Sequence, residues 1–218
     1  MRGVSRVTIV AFLLTGVLLT ATAKPVYFVT PCRCQNNHGE DRWAAKTEWS
    51  AVPTQSSKFK RVQPSDMYRW KPLPGLDGKS PRQPQEQQWY KVKGRVVDVR
   101  VQADGDVHFE LEDENGMKRG HILVEVPLGS QWCELRKIVF SWTSKRMRFN
   151  RFQAPRQLTL RTKKLVVSVL GKGFFDTHHA RKNPLRNISN NNKTGILAAW
   201  EIHPVSGFTA DSSVLPLK

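Results

Sequence analysis

Apolar positions gather in the second half of the chain in five runs, Trp89–Ala103, Val107–Glu112, His121–Pro127, Lys164–Gly171 and Ile196–Pro204, with one helical stretch between the third and fourth. In the second run Val107, Phe109 and Leu111 alternate with His108, Glu110 and Glu112, which predicts one buried and one wet face. The third run sets Ile122, Val124 and Val126 against His121, Leu123 and Glu125, so His108 and Glu125 are expected on outer faces. Val92, Val96, Val97, Val99 and Val101 give the first run the β-branched content of a long strand, with Gly94 as its bulge or coiling point. Ala103-Asp104-Gly105-Asp106 and Asn115-Gly116 read as tight turns. Trp132, Leu135, Ile138 and Val139 recur at helical spacing within Ser130–Phe140, with Ser130 as N-cap. Strand-strand-strand-helix-strand-strand is the order of an all-β, OB-like five-stranded β-barrel with one plug helix, here over residues 89–205.

The remainder is organised differently. Lys24–Gln88 is interrupted by prolines, and Leu73–Lys79 reads as consecutive turns. Trp43, Trp49, Tyr68 and Trp70 carry too much apolar area for a solvated linker. An irregular arm draped over the barrel is expected, with a short helix at Asp41–Trp49. Met1–Ala23 has Arg2 and Arg6, then the apolar stretch Val7–Leu19, then a small-x-small ending at Ala21-Thr22-Ala23. That pattern predicts an export leader, hence a periplasmic or extracellular protein with no transmembrane segment in the mature chain. Residues 206–218 form a C-terminal tail.

Charge narrows the partner class. The chain of 218 residues has a formal net charge of +17, and loss of the leader's two arginines would leave about +15. Ser144–Lys164 holds Arg146, Arg148 and Arg151 among its basic residues and no acid, while Thr177–Gly195 adds Arg181, Lys182, Arg186 and Lys193. Such a field attracts polyanions, nucleic acid or acidic glycan alike. OB barrels commonly clasp ligands across the second and third strands and in the loop between the last two, so Arg181, Lys182, Arg186 and Lys193 are the candidate ligand contacts, with Arg146, Arg148 and Arg151, between helix and fourth strand and away from that face, as a second patch. Phe174, Phe175 and Trp200 are candidate stacking residues. Of three cysteines, Cys32 and Cys34 are too close to pair with each other comfortably, so a disulfide joining Cys133 to Cys32 or Cys34 is expected.

Asp104–Leu111, Val124-Glu-Val-Pro127, Gly171-Lys-Gly-Phe-Phe-Asp176 with His178 and His179, and Trp200-Glu-Ile-His-Pro-Val205 together resemble a group of uncharacterised exported bacterial proteins. That group shows Gly-Asp-x-His, Gly-x-Gly-Phe-Phe-Asp-x-x-His and Glu-Ile/Leu-His-Pro-Val in this order. The resemblance spans about residues 89–205 and implies no established activity. From the residues themselves, His108, Asp176, His179 and His203, with Asp106, Glu125 and Glu201 nearby, are what a metal or acid-base site could draw upon. Gly94–Val99 followed by Asp104-Gly-Asp106 also resembles the start of a staphylococcal-type nuclease. Gly120–Pro127, however, lacks the arginine and Pro-Glu step that family needs. The sequence thus favours a non-enzymatic polyanion-binding module without a cofactor, over a metal-assisted hydrolase using His108, Asp176, His179 and His203, or an envelope scaffold.

Overall fold

The computed structural model describes residues 42–102, 104–115, 120–143, 156–182 and 198–209. Ahead of the barrel lie the short helix α1 (Trp43–Lys46), the strand β1 (Phe59–Val62) and the helical turn α2 (Pro64–Met67). The barrel strands are β2 (Trp89–Val101), β3 (Val107–Glu112) and β4 (Ile122–Val126), then α3 (Cys133–Ser141) and the two-residue strand β5 (Arg156–Gln157). The chain continues through β6 (Val166–Phe175), α4 (Thr177–Lys182) and β7 (Trp200–Phe208).

The strands run β2-β3-β4-β7-β6 and return to β2, which closes the cylinder. Only β4 and β7 pair parallel within it, at Val124 and Ile202. The all-β, OB-like five-stranded barrel with a plug helix is therefore the architecture. Closure depends on β2 serving two neighbours: Trp89–Arg95 pairs with β6 and Arg95–Val101 with β3. Gly94 sits at the changeover, where a Cβ would stand 2.6 Å from the Glu112 carbonyl oxygen. It is the coiling point; the register irregularity itself falls between Val96 and Asp98.

Val92, Val96, Val99, Phe109, Leu111, Ile122, Val124, Val169 and Ile202 fill the interior. Each such side chain contributes about 1.5–3 kcal/mol of transfer free energy. Phe109 meets Trp142 edge-on at 5.3 Å, below which α3 closes one end. Ser130 does not cap that helix. A 3₁₀ turn, Ser130–Trp132, feeds directly into Cys133, and no side-chain cap bond forms. The end is sealed instead by buried Arg136, which donates to the carbonyls of Val126, Pro127 and Gly105.

Two strand boundaries shift from expectation. β6 continues through Gly171-Lys-Gly-Phe-Phe175, which looked like its exit loop, because the glycines lie where β7 crosses closely. A Cβ on Gly171 would come within 2.4 Å of Ile202 Cγ2 and 2.7 Å of the Pro204 oxygen. β7 begins at Trp200 and runs past Pro204, whose missing N–H falls among the β6–β7 register shifts. The arm is also more ordered than its prolines suggest. β1 pairs parallel with β2, Phe59 beside Trp89 through Val62 beside Val92, and Val62 and Met67 enter the core. The expected helix at Asp41–Trp49 is reduced to the four residues of α1. The leader and the tail from 210 lie outside the described residues. Among the described residues no helix is long and apolar enough to cross a membrane.

Candidate functional site

Alternation along β3 and β4 places His108, Glu110 and Glu125 outside the barrel, yet Glu110 and Glu125 are buried. The outer face is roofed by the arm. Arg42 forms a two-pronged pair with Glu86, Nη1 to Oε1 at 2.7 Å and Nη2 to Oε2 at 2.6 Å, with both side chains fully buried. Glu86 also accepts the Phe175 and Gln83 backbone N–H groups, and Arg42 donates to the carbonyls of Ser80, Pro81 and Phe175. Arg82 reaches the carbonyls of Ala45, Gly173 and His203. Phe174, on the outer side of β6, lies beneath these cations, 4.6 Å from the Arg42 guanidinium and 5.4 Å from Lys46 Nζ.

Under this roof the register of β3, β4 and β7 gathers a polar cluster. His108 stands opposite Glu125, with Nε2 2.9 Å from Oε1, while its Nδ1 meets Gln102 Nε2 at 3.0 Å. The Gln102 amide nitrogen donates, so His108 accepts at Nδ1 and carries its proton on Nε2, the atom nearest Glu125 Oε1. The other oxygen of Glu125 lies 2.6 Å from His203 Nδ1, which sets the proton of His203 on that nitrogen. Glu201 Oε1 is 3.3 Å from the same atom. His203 Nε2 has no hydrogen-bond partner and stands 3.7 Å from Asp106 Oδ2, beyond hydrogen-bond reach. One donor atom each from Asp106, Glu125 and His203 lie within 4.8 Å of one another.

The electrostatics follow from burial and partners. Burial, then the charges of Asp104 and Glu125, pushes the Asp106 carboxyl up to about 7. Burial alone would raise Glu125, but His108, His203 and Lys46 outweigh it and hold the carboxyl well below its usual range. Burial lowers His203 despite Glu125, keeping the ring neutral. A second group, Asp176, His179 and Glu201, adjoins the first. Asp176 Oδ1 caps α4 through the N–H groups of His178 and His179, and Oδ2 lies 2.9 Å from His179 Nδ1. Burial opposes the charge of Asp176, yet its contacts with His179 hold it far below the ordinary value; the same pair raises His179 against burial.

The four metal candidates are thus divided. His203 joins Asp106 and Glu125, Asp176 and His179 pair with each other, and His108 supports Glu125. The sequence named all these residues but could not allot them, because the allotment depends on register. Phe174, Phe175 and Trp200 are buried and offer no stacking platform; Trp200 Nε1 donates to the Lys71 carbonyl. Arg181 and Lys182 lie at the end of α4, whereas Arg146, Arg148, Arg151, Arg186 and Lys193 fall outside the described residues. Cys133 is disulfide-bonded; Cys32 and Cys34, its candidate partners, also lie outside them.

Sequence reasoning missed a basic face, because it assigned Phe59–Val62 to an irregular arm. On the outer side of β1 and β2, Arg61, Lys91 and Lys93, with one acid, Asp66, border an open concavity of about 360 Å³, and Lys93 pairs with Glu114 at its edge. Phe59 and Trp89 meet edge-on at 6.0 Å along the same rows. No family model, no curated protein and no solved structure matches this chain.

Proposed function

We propose that this protein is an exported, non-enzymatic OB-like module that binds a polyanion, either nucleic acid or an acidic polymer. The contact surface proposed is the outer face of β1 and β2 around Arg61, Lys91 and Lys93; the basic stretches 144–164 and 177–195 of the sequence are proposed as further contacts. The carrying observation is how charge is sorted by depth. Glu86, Asp98, Asp106, Glu110, Asp113, Glu125, Asp176 and Glu201 are buried, while Lys172 is the one buried lysine among the described residues. Against these eight buried acids stand four buried cations, Arg42, Arg82, Arg136 and Lys172, so among the described residues the solvent-facing charge is more positive than composition alone implies. On the face usual for OB ligands Glu110 and Glu125 are buried, which supports contact at β1–β2 instead. The Met1–Ala23 leader supports a site of action in the periplasm or outside the cell.

Fluorescence anisotropy with a labelled single-stranded oligonucleotide, and competition by an acidic glycan, test this at about 50 and 200 mM salt. Lys91→Glu with Lys93→Glu should weaken binding at least tenfold and flatten the salt slope. No binding of either polymer at low salt, or binding indifferent to the double reversal, overturns the proposal.

A further inference from the structure

His203 Nε2 and Asp106 Oδ2 face one another in the interior, too far apart to hydrogen-bond directly. His203 is fully buried and Asp106 is 1% exposed. The His203 proton is committed to Glu125 by the 2.6 Å contact at Nδ1, so Nε2 presents a lone pair toward Asp106 Oδ2 at 3.7 Å. Asp106 Oδ1 is already engaged by the Leu128 N–H at 2.8 Å, which fixes the direction of Oδ2. A histidine whose far nitrogen is held by a carboxylate while its near nitrogen is bare is how proteins present imidazole to a metal.

We propose that the chain binds one divalent cation of the zinc class between His203 Nε2 and Asp106 Oδ2, with Glu125 orienting the imidazole from behind. The span suits such an ion. With metal–nitrogen and metal–oxygen bonds of about 2.0–2.1 Å, donors 3.7 Å apart subtend an angle of about 125–135° at the metal, somewhat wider than tetrahedral. Neutral imidazole with carboxylate favours zinc over calcium or magnesium, which prefer oxygen donors throughout. Two further carboxylates, Asp104 and Glu125, act on Asp106 and favour a cation there; the Lys46 ammonium, which acts on Glu125 and His203, opposes it in part. Water would complete the coordination.

Chelator-stripped full-length protein, titrated with zinc or magnesium, is followed by calorimetry and thermal unfolding. Zinc should bind one to one and, at about a hundredfold excess over its Kd, raise the midpoint by about 5–10 °C; magnesium should leave it unchanged. Asp106→Asn is the decisive variant. Its amide oxygen keeps the Leu128 N–H, and its NH₂ turns toward His203 Nε2, so the metal-free variant should melt no lower than the metal-free parent. It should also lose the zinc response and the cobalt(II) visible absorption of the parent. No zinc-dependent shift in the parent overturns the proposal. So does a shift retained in Asp106→Asn, which would assign the metal to the neighbouring Asp176, His179 and Glu201 or to an exposed histidine. His203→Gln is a second test, read by zinc stoichiometry on whatever fraction folds.

Discussion

The clasp between arm and barrel can be broken at one atom group. In Glu86→Ala, the Arg42 guanidinium would remain fully buried with three carbonyl partners but no counter-charge, and the N–H groups of Phe175 and Gln83 would lose their acceptor. Removing one partner of a buried pair costs about 3–5 kcal/mol, and each orphaned buried donor about 1–3 kcal/mol where it cannot relax to water. These terms overlap, so a loss of at least about 3 kcal/mol is expected, a large share of the roughly 5–15 kcal/mol typical of a domain. Urea unfolding followed by tryptophan fluorescence should show the midpoint falling by about 1–2 M for a slope near 2 kcal/mol/M. A single transition should persist, because β1 and Met67 belong to the barrel's core. Replacing both partners, Arg42→Met with Glu86→Leu, should recover much of the loss. A midpoint shift below about 0.5 M would refute this account of the clasp. An early transition confined to the arm, above an unchanged barrel, would refute the claim that arm and barrel form one unit.

Gly171→Ala should destabilise by about 1–3 kcal/mol or more through the clash with Ile202 and the Pro204 oxygen. Gly207→Ala, whose nearest neighbour lies at 3.6 Å, should stay within about 0.5 kcal/mol; equal thermal shifts would contradict the packing described. Arg136→Met leaves the carbonyls of Val126, Pro127 and Gly105 without this donor and should cost about 1.5–3 kcal/mol in denaturant titration. The Asp176–His179 pair shapes the pH profile at both ends. Asp176 is lowered when folded, so its contribution is present above about pH 3.8 and lost as pH falls through the folded value. His179 is raised, so its contribution is full below about pH 6.5 and lost as pH rises through the folded value. His179→Gln should abolish the second limb in melting curves recorded across pH 5–9, and an unchanged profile would exclude the pair as its source.

The period-two pattern of Val107, Phe109 and Leu111, and the β-branched run of β2, made the barrel legible because alternation reports directly which side faces the core. It cannot report what covers the other side. His108, Glu110 and Glu125 therefore read as solvent-facing, although Glu110 is buried against Arg100 and His121, and Glu125 against His108 and His203. Gly171 and Gly173 carry the same signal whether a chain turns or another strand crosses it closely, and Pro204 reads as a terminator unless the register is known to shift around it. β1 spans four residues and pairs in parallel with a strand nearly thirty positions away, so no local pattern announces it. The chemistry of Asp106, His108, Glu125, Asp176, His179, Glu201 and His203 was visible in residue types. Their partnerships required cross-strand alignment.

Arg82 donates to the carbonyl of His203, 121 positions further along the chain, and Arg42 to that of Phe175, 133 positions away. As the polypeptide leaves the ribosome, Arg42 can meet Glu86, Ser80 and Pro81 early but must wait for β6 to reach Phe175, and Arg82 must wait for the final strand. Contacts of such long sequence separation favour slow folding, and they leave the nascent N-terminal segment without its full anchor throughout translation. Completion of the chain, more than its growth, then decides when this molecule acquires its shape.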